Sequence, residues 1–104
     1  MNSSLSAAGA PPDEKAKIER LISHLESMTD AKFVRNGSEY DAKSAAKFLR
    51  KKWESKDEEI KTAKDFITKA ASVSSTSGKP YLIRFKDGKE VKCGDYLTSQ
   101  LKDG

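Results

Sequence analysis

The chain has 104 residues, of which 36% are hydrophobic and 35% charged, and its formal net charge is +4. This length corresponds to one domain, and the modest apolar share predicts a small core, so a shallow groove or a flat surface is the expected kind of site. The 20 basic and 16 acidic residues are largely interleaved, which is more typical of a solvated surface than of a dedicated nucleic-acid module.

Cysteine and histidine usage narrows the chemistry further. The only cysteine is Cys93 and the only histidine is His24, which excludes an intramolecular disulfide and a Cys- or His-rich metal site. The run Ser77–Pro80 resembles a phosphate loop only superficially, because the first glycine of that motif is missing. We therefore expect no catalytic residue, no metal and no cofactor. No segment approaches the roughly 20 apolar residues of a transmembrane helix.

The chain begins with small residues and two prolines, a composition that buries too little surface to become ordered. We predict a disordered tail over residues 1–11 and a single α+β domain over residues 12–104. The same tail would also be left if a signal peptide had been removed from a longer precursor. From Asp13 to Met28, apolar residues recur at helical spacing and predict the first helix. This stripe consists of Ile18, Leu21, Ile22, Leu25 and Met28.

A short hairpin and a second helix follow. The Asn36-Gly37 pair favours a tight turn with positive φ at both residues, so Lys32–Tyr40 is predicted to form two short strands. Asp41 is the expected N-cap of a helix over Ala42–Ser55. The inward face of this helix comprises Ala42, Ala45, Ala46, Leu49 and Trp53, and the opposite face carries Lys43, Lys47 and Lys51.

Thr62 opens a third helix, predicted from Ala63 to Val73, with a capping box in which Asp65 replaces the usual glutamate. The next segment, Ser74–Pro80, combines hydroxyl residues with glycine and proline and predicts a loop.

A second hairpin and a short helix end the chain. The predicted strands are Tyr81–Lys86 and Lys89–Cys93, joined at Asp87-Gly88, and Asp95 is the expected cap of the last helix. Hairpins rather than βαβ crossovers imply antiparallel pairing. The predicted fold class is therefore α+β, a small single domain of four helices and two antiparallel β-hairpins in the order α-ββ-α-α-ββ-α.

Two polar, glycine-containing turns form the candidate binding surface, because loops of this kind often carry function. An arginine beside the first turn offers a planar fork for a carboxylate or phosphate, and the second loop adds hydroxyl and backbone N–H groups. The predicted binding residues are Arg35, Asn36, Ser38, Ser74, Ser75, Ser77, Gly78 and Tyr81. The hypothesis requires the first hairpin to lie beside the start of the second. Otherwise these are two independent structural turns.

Several short motifs together resemble a bacterial family known as a domain of unknown function, number five three two nine. The most distinctive are Arg35-Asn36-Gly37 and the run from Ser72 to Tyr81. The resemblance covers about residues 15–102 and includes Ile18–Ile22, Ala45-Ala46 with Leu49 and Lys52, Thr62–Ile67, and Tyr96, Leu97 and Leu101.

The resemblance implies a setting rather than an activity. Proteins of this kind usually carry a signal peptide, which implies a periplasmic or secreted location. Members often have a cysteine before the first strand and a histidine in the second helix, where this chain has Ala31 and either Lys47 or Phe48. Chemistry that depended on those two residues would be missing here.

The favoured function is a non-catalytic binding or accessory protein of the bacterial envelope, expected to be a monomer, with a protein or an anionic envelope ligand as its partner. Two alternatives stay open. One is a small hydrolase that uses Cys93, with His24 as its base, or a hydroxyl of Ser74–Ser77. The other is a binder of an anionic polymer through the basic face of the second helix. Nucleic acid is disfavoured because no aromatic residue interleaves the lysines of that face.

Overall fold

The computed structural model describes residues 10–72 and 78–103 and shows an α+β domain. Helices and strands follow one another in the predicted order. Their bounds are α1 Pro12–Glu26, β1 Lys32–Arg35, β2 Ser38–Tyr40, α2 Ala42–Ser55, α3 Ala63–Phe66 with a π-helical continuation Ile67–Ala71, β3 Leu82–Arg84, β4 Glu90–Lys92 and α4 Cys93–Asp103. Residues 1–9 of the predicted tail, residues 73–77, which include part of the predicted loop, and residue 104 lie outside the described ranges.

The two hairpins join into one antiparallel sheet with the strand order β2-β1-β3-β4. Each hairpin was predicted from local signals, but their junction was not. It is an antiparallel pairing of β1 with β3, in which Phe33 lies opposite Ile83 and Val34 opposite Leu82. Because side chains alternate along a strand, Phe33 and Ile83 share the face that packs on the helices, and both are buried.

The turn between β1 and β2 has the predicted geometry. Asn36 has a φ of 54° and Gly37 a φ of 83°, values that asparagine and glycine tolerate better than other residues. Arg35 lies opposite Ser38 in this hairpin. Arg35 therefore lies at the end of β1, where its side chain can reach past the edge of the core.

The core lies between the sheet and the helices, and the predicted apolar stripes supply it. The buried residues of α1 are Ile18, Leu21, Ile22 and Leu25, and those of α2 include Ala42, Ala45, Ala46 and Leu49. Trp53 is half-buried, and its ring meets that of Phe66 edge to face at a centroid distance of 6.1 Å. Lys52 is also buried on this side of α2, although lysine is rarely buried in proteins.

The third helix is shorter and less regular than predicted. Thr62 is its N-cap, as expected, because its hydroxyl oxygen accepts the Asp65 N–H at 3.0 Å. After one α-helical turn the chain widens into the π-helical segment Ile67–Ala71, a rare conformation that is found frequently at functional sites. The Ser72 hydroxyl closes this segment by donating to the Ile67 carbonyl at 2.6 Å. Val73, the predicted last residue of the helix, lies outside the described ranges.

The final helix begins earlier than predicted. Cys93, expected to end β4, begins α4, so Asp95 lies in the first helical turn rather than at the cap. The Cys93 N–H still donates to the Tyr81 carbonyl at 2.8 Å. The next residue, Gly94, packs so closely on Ser72 that a Cβ would lie 2.5 Å from the Ser72 Oγ. The missing side chain thus lets the helix start directly at the end of the strand.

Candidate functional site

The pairing of β1 with β3 brings residues of both predicted turns to one end of the sheet. In this register Val34 lies opposite Leu82, so the next residues along, Arg35 and Tyr81, are neighbours across the two strands. The first hairpin therefore lies beside the start of the second, as the binding hypothesis requires.

The other predicted binding residues either lie exposed on the turns or fall outside the described ranges. Asn36, Ser38 and Gly78 are exposed on their turns, and Ser74, Ser75 and Ser77 lie outside the described ranges. The residues that flank this undescribed segment are tied together, because the Tyr81 N–H donates to the Ser72 carbonyl oxygen at 3.0 Å. Ser72, the last described residue before that segment, therefore lies next to Tyr81.

Lys52 of α2 meets Tyr81 from the helix side. Its side chain is only 9% exposed, its Nζ donates to the Tyr81 hydroxyl at 2.9 Å, and the ammonium lies 4.9 Å from the centroid of the Tyr81 ring. Burial lowers the pKa of Lys52 to about 8, and the positive charges of Lys56 and Arg35 act in the same direction. Burial likewise raises the pKa of Tyr81, against the hydrogen bond and charge of Arg35.

Arg35 is held against an aromatic ring. Its guanidinium carbon lies 4.5 Å from the centroid of Phe48, a cation–π contact. The Phe48 ring in turn meets Tyr81 edge to face at 5.9 Å. The Arg35 Nε is buried and has no hydrogen-bond partner among the described residues, which is uncommon for a buried donor.

These side chains line one surface groove of about 400 Å³, which we call the cationic groove. Its walls are Arg35, Phe48, Lys51, Lys52, Ser55, Lys56 and Tyr81. Four of the seven are cationic, and none of these lining residues is acidic. A larger hollow of about 940 Å³ between α1 and α4 is lined by both carboxylates and cations, so it offers no comparable preference for a charge.

A small apolar pit of about 70 Å³ adjoins the cationic groove. Its walls are Phe33, Val34, Arg35, Tyr40, Ala45, Phe48, Leu49, Tyr81 and Cys93. Three of these residues, Arg35, Phe48 and Tyr81, also line the groove. Tyr40, 37% exposed, gives the pit an aromatic rim.

Sequence reasoning found Arg35 and Tyr81 but assigned no site role to Lys52, Lys56 or Phe48. A signal for Lys52 was present, since positions 45, 49 and 52 follow the i, i+4, i+7 spacing of one helix face. The predicted basic face of α2 is only partly continuous with the site. Lys51 lines the groove, whereas Lys43 and Lys47 do not.

The cysteine and histidine of the hydrolase hypothesis are not arranged for nucleophilic chemistry. Cys93 is 2% exposed, and burial raises the pKa of its thiol to about 12, whereas a nucleophilic cysteine needs an accessible thiolate. The His24 Nε2 lies 2.7 Å from the Tyr96 hydroxyl oxygen, and the two rings stack. The serine hydroxyls of that hypothesis, in Ser74–Ser77, lie outside the described ranges.

Within residues 10–72 and 78–103, no group of three or more His, Cys, Asp or Glu side chains could hold a metal ion. No helix in the described part of the chain has both the length and the apolar character needed to cross a bilayer.

Comparison with known proteins gives a family but no activity. The model of a family described as "Family of unknown function (DUF5329)" matches residues 12–104. The chain is 41% identical over 68 residues to the "Uncharacterized protein YfeK" of Salmonella typhimurium strain LT2. That alignment covers 65% of this chain and 57% of the relative, so the match spans little more than half of the relative's length. No solved structure matches the chain.

Proposed function

Because the chain belongs to the DUF5329 family, whose function is unknown, we propose a function from the site itself: a non-catalytic binding protein whose cationic groove holds the anionic group of a ligand. The observation that carries this proposal is the convergence of Arg35, Lys51, Lys52 and Lys56 on one groove whose lining contains no acidic residue. Surface cations are more often interleaved with carboxylates, as they are elsewhere in this chain.

Repulsion among these cations supports the proposal. Burial is the largest cause of the lowered pKa of Lys52, and the positive charges of Lys56 and Arg35 lower it further, so both effects disfavour its ammonium form. An anion in the groove would add an attraction that opposes this repulsion and favours protonated Lys52. Ligand binding and proton uptake by Lys52 are then linked.

The lining side chains would make different contacts with the bound anion. The Arg35 guanidinium, oriented by Phe48, presents a planar fork that suits two oxygens of one anion. Lys52 and Lys56 act as compact charges. The Tyr81 oxygen already accepts a hydrogen bond from Lys52, so the phenolic proton remains to be donated to the ligand.

The test is an NMR titration of the labelled protein with sulfate, phosphate and acetate at pH 7, with ionic strength held constant by chloride. We expect shift changes centred on Arg35, Lys52 and Tyr81. Lys52→Met should weaken binding about tenfold or more, since a hydrogen bond to a charged group contributes about 1.5–3 kcal/mol. The matched control is Lys43→Met, which removes the same charge from an exposed position of the same helix.

Equal loss of affinity in both variants would contradict a specific groove. Together with shift changes at Lys43 and Lys47, which lie outside the groove, that result would instead favour an anionic polymer bound along α2. No shift change with any of the anions would overturn the proposal.

We also propose that the protein works in the bacterial envelope, as a monomeric accessory protein. The support is the resemblance to exported proteins carried by Arg35-Asn36-Gly37 and Ser72–Tyr81. Fractionation of cells that express the full-length gene product tests the location, and light scattering of the purified protein tests the monomer. Recovery in the cytoplasm, or a dimer mass at micromolar concentration, would contradict them.

A further inference from the structure

The apolar pit gives the ligand a second recognition element besides its charge. Arg35, Phe48 and Tyr81 form walls of both the pit and the cationic groove, so one small molecule can contact both. The remaining walls come from apolar residues such as Phe33, Leu49 and Cys93. Its lining is mostly apolar, so water inside it would find few hydrogen-bond partners and an apolar group displaces that water at little cost.

The volume of the pit limits what enters. At about 70 Å³ it is roughly half the size of a cavity of about 150 Å³ that holds benzene. It has room for about two or three non-hydrogen atoms, since a water molecule occupies about 30 Å³ in the liquid. An aromatic ring or a long acyl chain is therefore too large, and a short alkyl group fits.

The position of the pit also selects among anions. Arg35 lines both hollows, so the ligand's charge must lie within a few bonds of its apolar group. A carboxylate is planar, matches the arginine fork with two oxygens and carries one charge. A phosphate monoester would bring further oxygens and more charge against an apolar wall, which raises the cost of desolvation.

We propose that the site takes a carboxylate carried on a short alkyl group, with the carboxylate in the cationic groove and the alkyl group in the apolar pit. This inference rests on the anion-binding function proposed above. The same chemistry has two sources: a free short-chain carboxylic acid, or the C-terminal carboxylate of a peptide that ends in a small aliphatic residue.

A homologous series at pH 7 tests it. The ligands of the NMR titration are acetate, propionate, butyrate and hexanoate. Sulfate is the control anion without an alkyl group. N-acetyl-alanyl-alanine represents a peptide with a C-terminal carboxylate. Affinity should rise about fourfold for each methylene that enters the pit, because burial of one CH₂ contributes about 0.8 kcal/mol. It should stop rising at propionate or butyrate, and the pit-lining methyl groups of Ala45 and Leu49 should shift.

Two variants change the pit without touching the cations. Ala45→Val narrows it and should remove the gain beyond acetate while sulfate binds as before. Cys93→Ala removes one heavy atom from its wall and should move the optimum one carbon longer. The wild-type series alone remains decisive if either variant fails to fold.

The outcomes separate this inference from the proposed function. Binding of sulfate and of every carboxylate with equal affinity would overturn the inference and leave the anion site standing. No response of Lys52 or Arg35 to any anion would overturn both. A chain-length optimum supports the inference, and tighter binding of the dipeptide or of butyrate then identifies the source.

Discussion

Lys52 is the residue that most clearly distinguishes the groove-lining face of α2 from an ordinary apolar helix face. Its position in the helical register directs it toward the core, where its ammonium loses hydration. The Tyr81 hydroxyl accepts one hydrogen bond from it at 2.9 Å, and its aliphatic stem covers apolar surface. The charge nevertheless stays near Arg35 and Lys56, so burial and repulsion together lower the pKa of Lys52 to about 8. Perturbed groups of this kind cluster at functional sites.

The lowered pKa of Lys52 predicts a rise of stability with pH. Folded Lys52 releases its proton near pH 8, whereas the unfolded residue holds it until about 10.5. The unfolded state therefore binds more protons in between, and the free energy of unfolding should increase above about pH 8. Lys52→Met should remove this increase. Urea melts at pH 7, 8 and 9 measure it, and identical pH profiles for Lys52→Met and its parent would contradict the prediction.

These melts belong in a Cys93→Ala background, because the thiol acts in the opposite direction. Burial raises the pKa of Cys93 from 9.0 to about 12, so its contribution is present below pH 9 and is lost as the pH rises from 9 to 12.

The Cys93 thiol should also be unreactive toward alkylating reagents in the folded protein. With its pKa raised to about 12 and its side chain buried, the folded protein should react with iodoacetamide at pH 7 at least about 100-fold more slowly than the urea-unfolded chain. Mass spectrometry of timed samples measures both rates. Rapid alkylation of the folded protein would contradict the burial and restore the cysteine hydrolase as a candidate.

At the scale of elements, the sequence predicted the features that depend only on residues close together in the chain. The apolar stripe of α1 from Ile18 to Leu25, the Thr62 cap and the Asn36-Gly37 turn all depend on residues within a few positions, and all are confirmed. The helix ends at Glu26, so Met28, the last residue of the predicted stripe, lies outside it. The pairing of β1 with β3 joins short strands whose paired residues, such as Phe33 and Ile83, lie far apart in the sequence, and no local pattern marks it. Lys52 was missed for another reason, since its residue type argues against the burial that its spacing indicates.

The contact between α4 and the π-helical segment gives a prediction at this scale. A Cβ at position 94 would lie 2.5 Å from the Ser72 Oγ, which itself bonds to the Ile67 carbonyl. Gly94→Ala should therefore destabilise the fold by about 1–3 kcal/mol, the usual cost of overpacking. Denaturant melts of Gly94→Ala alone and with Ser72→Ala form a double-mutant cycle. The pair should be less destabilised than the sum, and strict additivity would mean that the two residues do not clash.

At the scale of the whole molecule, the cationic groove exists only in the assembled fold. Arg35 ends β1, Phe48 and Lys52 lie on α2, and Tyr81 precedes β3, so three distant parts of the chain must meet before the proposed anion site is formed. The unfolded chain presents none of this convergence. A ligand of the groove therefore binds the native state selectively and raises the stability of the entire domain.

This linkage yields a prediction for thermal unfolding. Sodium sulfate at ten times its dissociation constant should add about 1.4 kcal/mol to the free energy of unfolding at pH 7, or roughly 5–10 °C in Tm for a domain of this size. Sulfate also stabilises proteins generally through its exclusion from their surface. The informative quantity is thus the difference between the wild type and Lys52→Met, with Lys43→Met as the variant of equal charge.

The pH dependence of the same experiment identifies the group responsible. Because the pKa of Lys52 is lowered to about 8, its ammonium is charged at pH 7 and largely neutral at pH 9. The extra Tm gain of the wild type and of Lys43→Met should therefore shrink between pH 7 and pH 9, while the smaller gain of Lys52→Met stays constant. A gain that is independent of pH in all three proteins would mean that the anion is held without Lys52.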